Sequence, residues 1–285
     1  MGATPIDLNG AIVAITGGGR GIGRATGELF AARGATVALG DLDAEVVADA
    51  AAELGRPVHA FALDVTSRRS FKGFLSAVEE SLGPVDVLVN NAGIMPAGPF
   101  LGERERTTDA ILAVNLRGVI TGMRLVLPEM IDRGRGHVVN VASLLGKTEL
   151  PGLATYVASK HAVVGLTAAV RTELEGTGVT LSVVMPSIVN TELASGIRLG
   201  VGRLIRVEPE RVAAVIARTV ETRAGEVAVP SWLALYPTLR PFIPDRLEGL
   251  VRKLIGDDKA LNAVDSAVRA AYEERAAGSR SRTEQ

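Results

Sequence analysis

The sequence predicts an α/β protein built on a doubly wound, parallel, seven-stranded sheet with helices on both faces. Three observations carry this expectation. Short β-branched runs alternate with amphipathic segments across residues 11–229, the pattern of a parallel sheet covered on both sides. The first run leads into the glycine-rich turn Thr16-Gly17-Gly18-Gly19-Arg20-Gly21-Ile22-Gly23. A chain of 285 residues is long enough to bury the core of one large α/β domain, and a second full one would be a tight fit beside it.

In chain order, the strands are expected at 11–16, 36–40, 58–62, 85–90, 137–142, 180–185 and 226–229. Arg33-Gly34 and Leu54-Gly55 each close a helical pattern with glycine. Pro128 interrupts the helical stretch 107–133, which predicts a kink or break there. The composition changes after Pro230, where Trp232, Pro237, Pro241 and Pro244 punctuate an apolar stretch. Residues 1–229 therefore read as one domain and 230–285 as a helical extension that is not independent. Within the extension, Leu247, Leu250, Val251, Leu254 and Ile255 follow helical spacing, a second helix is expected over 261–277, and disorder from Gly278. This segment is expected to pack on the main domain or a neighbouring subunit; peripheral contact with a membrane surface is the alternative.

Composition narrows the function. The net charge is −1 with Lys and Arg scattered, which argues against a nucleic-acid partner. There are no cysteines, which excludes disulfides and thiolate chemistry and agrees with a cytoplasmic enzyme. The first ten residues lack a basic segment followed by an apolar run, so no signal peptide is expected, nor is any membrane-spanning segment. His59, His137 and His161 lack metal-ligand spacing, so no metal is expected.

The glycine-rich turn carries the first piece of chemistry. Glycines let backbone amides approach a pyrophosphate, and the following helix offers its positive N-terminus. Gly17, Gly21 and Gly23 are spaced Gly-x-x-x-Gly-x-Gly, which differs from the more general Gly-x-Gly-x-x-Gly pattern. Asp41, twenty-four residues after Gly17, closes the second strand, where a carboxylate accepts from adenosine ribose hydroxyls and repels a 2′-phosphate. Asp41 thus points to NAD, and Leu42 brings no cation to reverse it. Arg20 points the other way, since a guanidinium in the loop could reach the 2′-phosphate of NADP.

The second piece is Tyr156 and Lys160, four residues apart and thirteen after Ser143. On a helix they share a face, so the ammonium favours negative charge on the ring oxygen. An unperturbed tyrosine ionises near pH 10, and bringing that to neutrality requires roughly 4 kcal/mol of preferential stabilisation. A nearby ammonium together with a cationic cofactor ring supplies charge of the right sign. Such a group suits alcohol oxidation or carbonyl reduction.

On these residues the chain resembles the short-chain dehydrogenase/reductases over residues 8–229. Five motifs occur in order: the loop Thr16 to Gly23, Asp64-Val65, Asn90-Asn91-Ala92-Gly93, Asn115, and Ser143 with Tyr156 and Lys160. The resemblance implies a Rossmann fold, NAD(P) as cofactor and a homodimer or homotetramer formed through the long helices containing Asn115 and Tyr156. It also implies that Gly17, Arg20, Gly21, Ile22 and Gly23 meet the cofactor, with Asp41 and Leu42 at the ribose and Asp64 and Val65 at the adenine. Asn91, Ala92 and Gly93 would line the ribose side, Lys160 the nicotinamide ribose, and Val189 and Thr191 the carboxamide. In that scheme Tyr156 moves the proton, Ser143 polarises the substrate oxygen, Lys160 tunes Tyr156 and Asn115 holds a water. Pro186-Ser187 departs from the family's Pro-Gly, and serine restricts the backbone more than glycine.

Met95, Leu144, Leu145, Leu153, Ile188, Leu193, Ile197 and Leu199 make the expected substrate wall apolar, which suggests a lipid, terpenoid or steroid-like alcohol or ketone. The competing reading is that these residues only pack against one another. Three further functions stand beside the dehydrogenase: an idle NAD-binding scaffold or redox sensor, an epimerase or dehydratase, and an NADP-dependent carbonyl reductase. The full Ser143, Tyr156 and Lys160 set argues against the first. The short segment after the sheet argues against the second.

Overall fold

A computed structural model describes residues 5–194 and 206–239. The expected elements from 247 onward, Ile197 and Leu199 therefore lie outside the described residues. All seven expected strands are present: β1 Ile12–Thr16, β2 Thr36–Asp41, β3 Val58–Ala62, β4 Val87–Asn90, β5 Gly136–Val141, β6 Val179–Pro186 and, after a two-residue ladder between β7 Ile188–Val189 and β8 Arg206–Val207, β9 Glu226–Val229. The main sheet is parallel throughout in the order β3-β2-β1-β4-β5-β6-β9, so the direction of winding reverses between β1 and β4.

Two apolar layers hold this sheet. On one face α1 (Gly21–Ala32), α2 (Ala44–Leu54) and α7 (Pro209–Thr222) bring Phe30, Val47, Val212 and Ile216 against Val13, Leu39 and Val139. On the other, α3 (Arg68–Ser81), α5 (Val119–Asp132) and α6 (Ala154–Glu173) set Phe71, Phe74, Met123, Met130 and Val163 against Ala14, Leu88, Val138 and Leu181. With helices on both faces, the strands need β-branched side chains in both directions, which is why they read so clearly in the sequence. The buried His137 joins β5 to β6 through Thr180 Oγ1 at 2.7 Å and Ser182 Oγ at 3.2 Å, and burial lowers its pKa to about 3.

The glycine stops hold. Gly34 and Gly55 follow α1 and α2 with φ of 86° and 70°, in the left-handed region. The expected break at Pro128 does not occur, since α5 runs through it. Pro128 lies on the exposed face, and so does Arg124, whose carbonyl would have accepted the missing bond; water can take its place. The irregularity sits upstream. α4 (Glu105–Leu112) continues into the wide π-helical turn Ala113–Gly118 before α5 begins. Together these form one helix, Glu105–Asp132, long and apolar enough by length and composition to cross a membrane, which corrects the expectation that no such segment exists. Its apolar character has another source here, because it packs Val119, Met123, Val126 and Met130 under the sheet.

After β9, Trp232, Leu235 and Leu239 are exposed in a short turn and α8 (Leu235–Leu239).

Candidate active site

In an open parallel sheet, a ligand crevice forms at the carboxyl ends of the strands where the winding reverses. Here that places the loops after β1 and β4 side by side. A polar clasp fixes them. Thr16 Oγ1 accepts from the amides of Asn91 and Ala92, both at 3.0 Å, and Asn91 Nδ2 donates to the carbonyls of Thr16 and Gly17, also at 3.0 Å.

The loop has no room for side chains at Gly17, Gly21 and Gly23. Gly17 has φ of 66°, and a Cβ there would fall 2.9 Å from Ala92 Cα. At Gly23 a Cβ would lie 2.0 Å from the Gly17 carbonyl oxygen, and at Gly21 it would lie 2.9 Å from Thr191 Cγ2. α1 begins with neither a side-chain cap nor an acidic residue in its first turn, which leaves its leading amides to an anion. This cradle fits a dinucleotide pyrophosphate, which backbone amides from Gly17 to Gly23 would hold. Gly23→Ala is expected to displace the loop and weaken dinucleotide binding at least tenfold, on the order of 1–3 kcal/mol of overpacking strain. Titration calorimetry checks this, and an unchanged Kd would remove the loop from the site.

Asp41 stands at the mouth, where its Oδ2 accepts from Gly19 N at 3.0 Å and its Oδ1 from Asp43 N at 3.2 Å. Leu42 beside it is exposed. Arg20 pairs with Asp43 and with Glu192, each at 3.6 Å. Asp64 Oδ1 accepts from Thr66 N at 2.8 Å and Thr66 Oγ1 at 2.6 Å in the loop after β3, and Val65 abuts Gly118. Ile22 packs against the α1 side of the core, and Val189 is buried in the β7–β8 ladder. Ser187 donates to the Val229 carbonyl at 2.9 Å, and its φ is outside the left-handed region, so this backbone does not require glycine.

The residues expected to handle the proton lie next to this crevice. Lys160 Nζ is 5.7 Å from the centroid of the Tyr156 ring and donates to the Val141 carbonyl at 3.0 Å. Burial lowers the Lys160 pKa from 10.5 to about 8. A Cβ on Gly93 would come within 3.4 Å of Asn115 Oδ1 and 3.7 Å of Lys160 Nζ, so all three converge. Ser143 follows β5, and its Oγ accepts from Leu145 N at 3.2 Å at the start of a short turn packed on α6.

Asn115 is fully buried in the π-helical turn. Its Oδ1 accepts from Ile94 N at 2.9 Å, and its Nδ2 donates to Ile94 O at 2.9 Å and to Ser159 Oγ at 3.2 Å. Ser159 Oγ in turn donates to the Tyr156 carbonyl at 2.7 Å. Asn115 thus ties the loop after β4 to the backbone of the tyrosine, and a wide turn at such a position is a common mark of a functional site. Glu103 makes a second tie, accepting from Thr108 Oγ1 and Thr155 Oγ1, both at 2.5 Å, beside Tyr156.

Above these groups Met95, Leu153 and Tyr156 form a buried apolar cluster, with Leu145, Leu150, Val157 and Leu193 packed around it. Leu144 is not brought into this cluster and packs against the sheet core instead. Glu103 and Ser159 escaped the sequence reading, and Thr16 enters it only as the start of the glycine-rich turn. Thr16 left one clue, as a polar residue ending an apolar strand; the bonds of the other two cross between elements. Among the described residues, no group of three or more His, Asp or Glu could hold a metal ion.

A family model described as short chain dehydrogenase matches residues 11–201. The chain is 37% identical over 188 residues to the probable oxidoreductase EphD of Mycobacterium tuberculosis, a match covering 65% of this chain and only 32% of that longer protein. It is 31% identical over 251 residues to human 17-beta-hydroxysteroid dehydrogenase 13, covering 86% of this chain and 83% of the relative. Among solved structures, a short chain dehydrogenase/reductase from Burkholderia phymatum in complex with NAD aligns at a TM-score of 0.76 and 26% identity, over 82% of this chain and 94% of that one. The overall fold is shared with that structure, and the chain, with its glycine cradle at the sheet reversal and buried Tyr156–Lys160 pair, belongs to the short chain dehydrogenase family.

Proposed function

We propose that this protein is an NAD-dependent dehydrogenase or reductase acting on a hydrophobic secondary alcohol or its ketone. The observation that carries the reading is Lys160 Nζ, buried 5.7 Å from the Tyr156 ring centroid at the edge of the glycine cradle and beneath an apolar cluster. When bound, the nicotinamide accepts or returns the hydride. Tyr156 takes the hydroxyl proton in oxidation and gives it back in reduction. Ser143, at the end of β5, orients the substrate oxygen, and Lys160 favours negative charge on the tyrosine oxygen. Asn115 positions Tyr156 through Ser159.

The apolar wall of Met95, Leu145, Leu153 and Leu193 supports a hydrophobic substrate, and so does the similarity to a hydroxysteroid dehydrogenase. For the cofactor, the Asp41 carboxylate at the mouth supports NAD, as does the NAD complex of the Burkholderia phymatum structure. A homodimer or homotetramer through the long helices is part of this reading, and a monomer by light scattering would remove it.

NADH formation from NAD across a panel of hydrophobic secondary alcohols, including sterols, terpenoid alcohols and 3-hydroxyacyl chains, tests the function. Turnover by the wild type is expected on at least one class. NAD binding without turnover on any of them would shift the reading to a cofactor-binding scaffold.

A further inference from the structure

We propose that Asp43 and Glu192 set the preference for NAD over NADP by neutralising Arg20, the guanidinium that the glycine-rich loop offers to a 2′-phosphate. The inference rests on the NAD-binding reading above and adds two residues that the family motifs do not include.

Arg20 precedes α1 between two glycines, at the mouth of the crevice. By charge alone it favours NADP, in conflict with Asp41. The structure resolves the conflict by where the guanidinium goes. One terminal nitrogen lies 3.6 Å from Asp43 Oδ2 and the other 3.6 Å from Glu192 Oε2. The two acids come from opposite rims. Asp43 sits in the turn after β2 and caps α2 through its bond from Val46 N, whereas Glu192 follows β7 in the loop whose Thr191 abuts Gly21. Arg20 thus joins the two loops through one guanidinium.

A 2′-phosphate brings close to two negative charges at neutral pH and three acceptor oxygens. At this mouth it would meet the Asp41 carboxylate, held against Gly19 N, and the Asp43 carboxylate two residues on. To offset them, Arg20 would have to leave both of its acidic partners. NAD makes no such demand. The pairs are exposed, so each carries only a modest factor, about two- to fivefold at low salt.

The test uses the full chain and calorimetric dissociation constants for NAD and NADP at low ionic strength. Asp43→Asn keeps a good helix cap, and Glu192→Gln keeps the side-chain volume. In the doubly substituted chain NADP is expected to bind about five- to tenfold more tightly while NAD changes less than about twofold. In an Arg20→Gln background, the same two substitutions are expected to move the ratio less than about twofold. An unchanged ratio in the first comparison overturns the inference. So does an equal shift without Arg20, which would mean that the acids act through their own field. A wild-type chain that binds NADP more tightly than NAD overturns the cofactor reading itself, and this inference with it.

Discussion

Tyr156→Phe is expected to lower kcat about a thousandfold while leaving the Kd for NAD within about twofold. The substitution removes one oxygen and nothing else. The ring is 5% exposed and packs with Met95 and Leu153, and those contacts survive in phenylalanine. The bond from Ser159 Oγ goes to the tyrosine backbone, so the tie to Asn115 and the loop after β4 also survives. A loss of turnover with a melting midpoint within a few degrees of the wild type therefore reads the proton transfer alone. The cradle amides and Asp41 lie on other elements, which is why binding should hold. Turnover retained by the phenylalanine variant would assign the acid–base role to another group and leave Tyr156 as packing.

The strands and the two glycine-closed helices could be read from the chain because local chemistry decides them. A strand covered on both faces needs apolar, β-branched residues, and a helix stop needs a residue that accepts positive φ, as Gly34 and Gly55 do. The π-helical turn at Ala113–Gly118 could not be read, because one wide turn leaves the apolar periodicity of the long helix intact. Pro128 misled for a related reason. A proline breaks a helix where the freed carbonyl is buried, and here that carbonyl belongs to Arg124, on the exposed face of the helix, a matter of tertiary orientation. In the site, the cradle and the Tyr156–Lys160 pair are short-range patterns and were visible. The partners of Arg20 were not, since Asp43 and Glu192 lie on separate elements and only the fold brings them to one guanidinium. The same holds for Leu144, an apolar residue beside Ser143 that the turn after β5 directs into the core.

Lys160→Met is expected to make the protein more stable and nearly inactive. Burial lowers the lysine pKa from 10.5 to about 8, so the native state binds its proton less tightly than the unfolded chain does. Below about pH 8 both states are protonated and the native state carries the whole desolvation penalty, about 3 kcal/mol from that difference. Between pH 8 and 10.5 the unfolded chain keeps the proton that the native state has released, so stability rises with pH and the penalty fades. Methionine fills much of the same volume without a charge but loses the charge-assisted bond to the Val141 carbonyl, a loss of about 2 kcal/mol. The net gain at pH 7 is about 1 kcal/mol, or roughly 2 °C in Tm. Urea unfolding at pH 7 and pH 10 should show that gain shrinking at the higher pH; a gain equal at both would mean that the buried ammonium is not its source. Turnover should fall at least a hundredfold, because at pH 7 the native lysine is still mostly ammonium and supplies the positive charge beside the tyrosine oxygen. A buried cation that weakens the fold at the pH where it works is a residue kept for chemistry, and removing it separates the two effects in one protein.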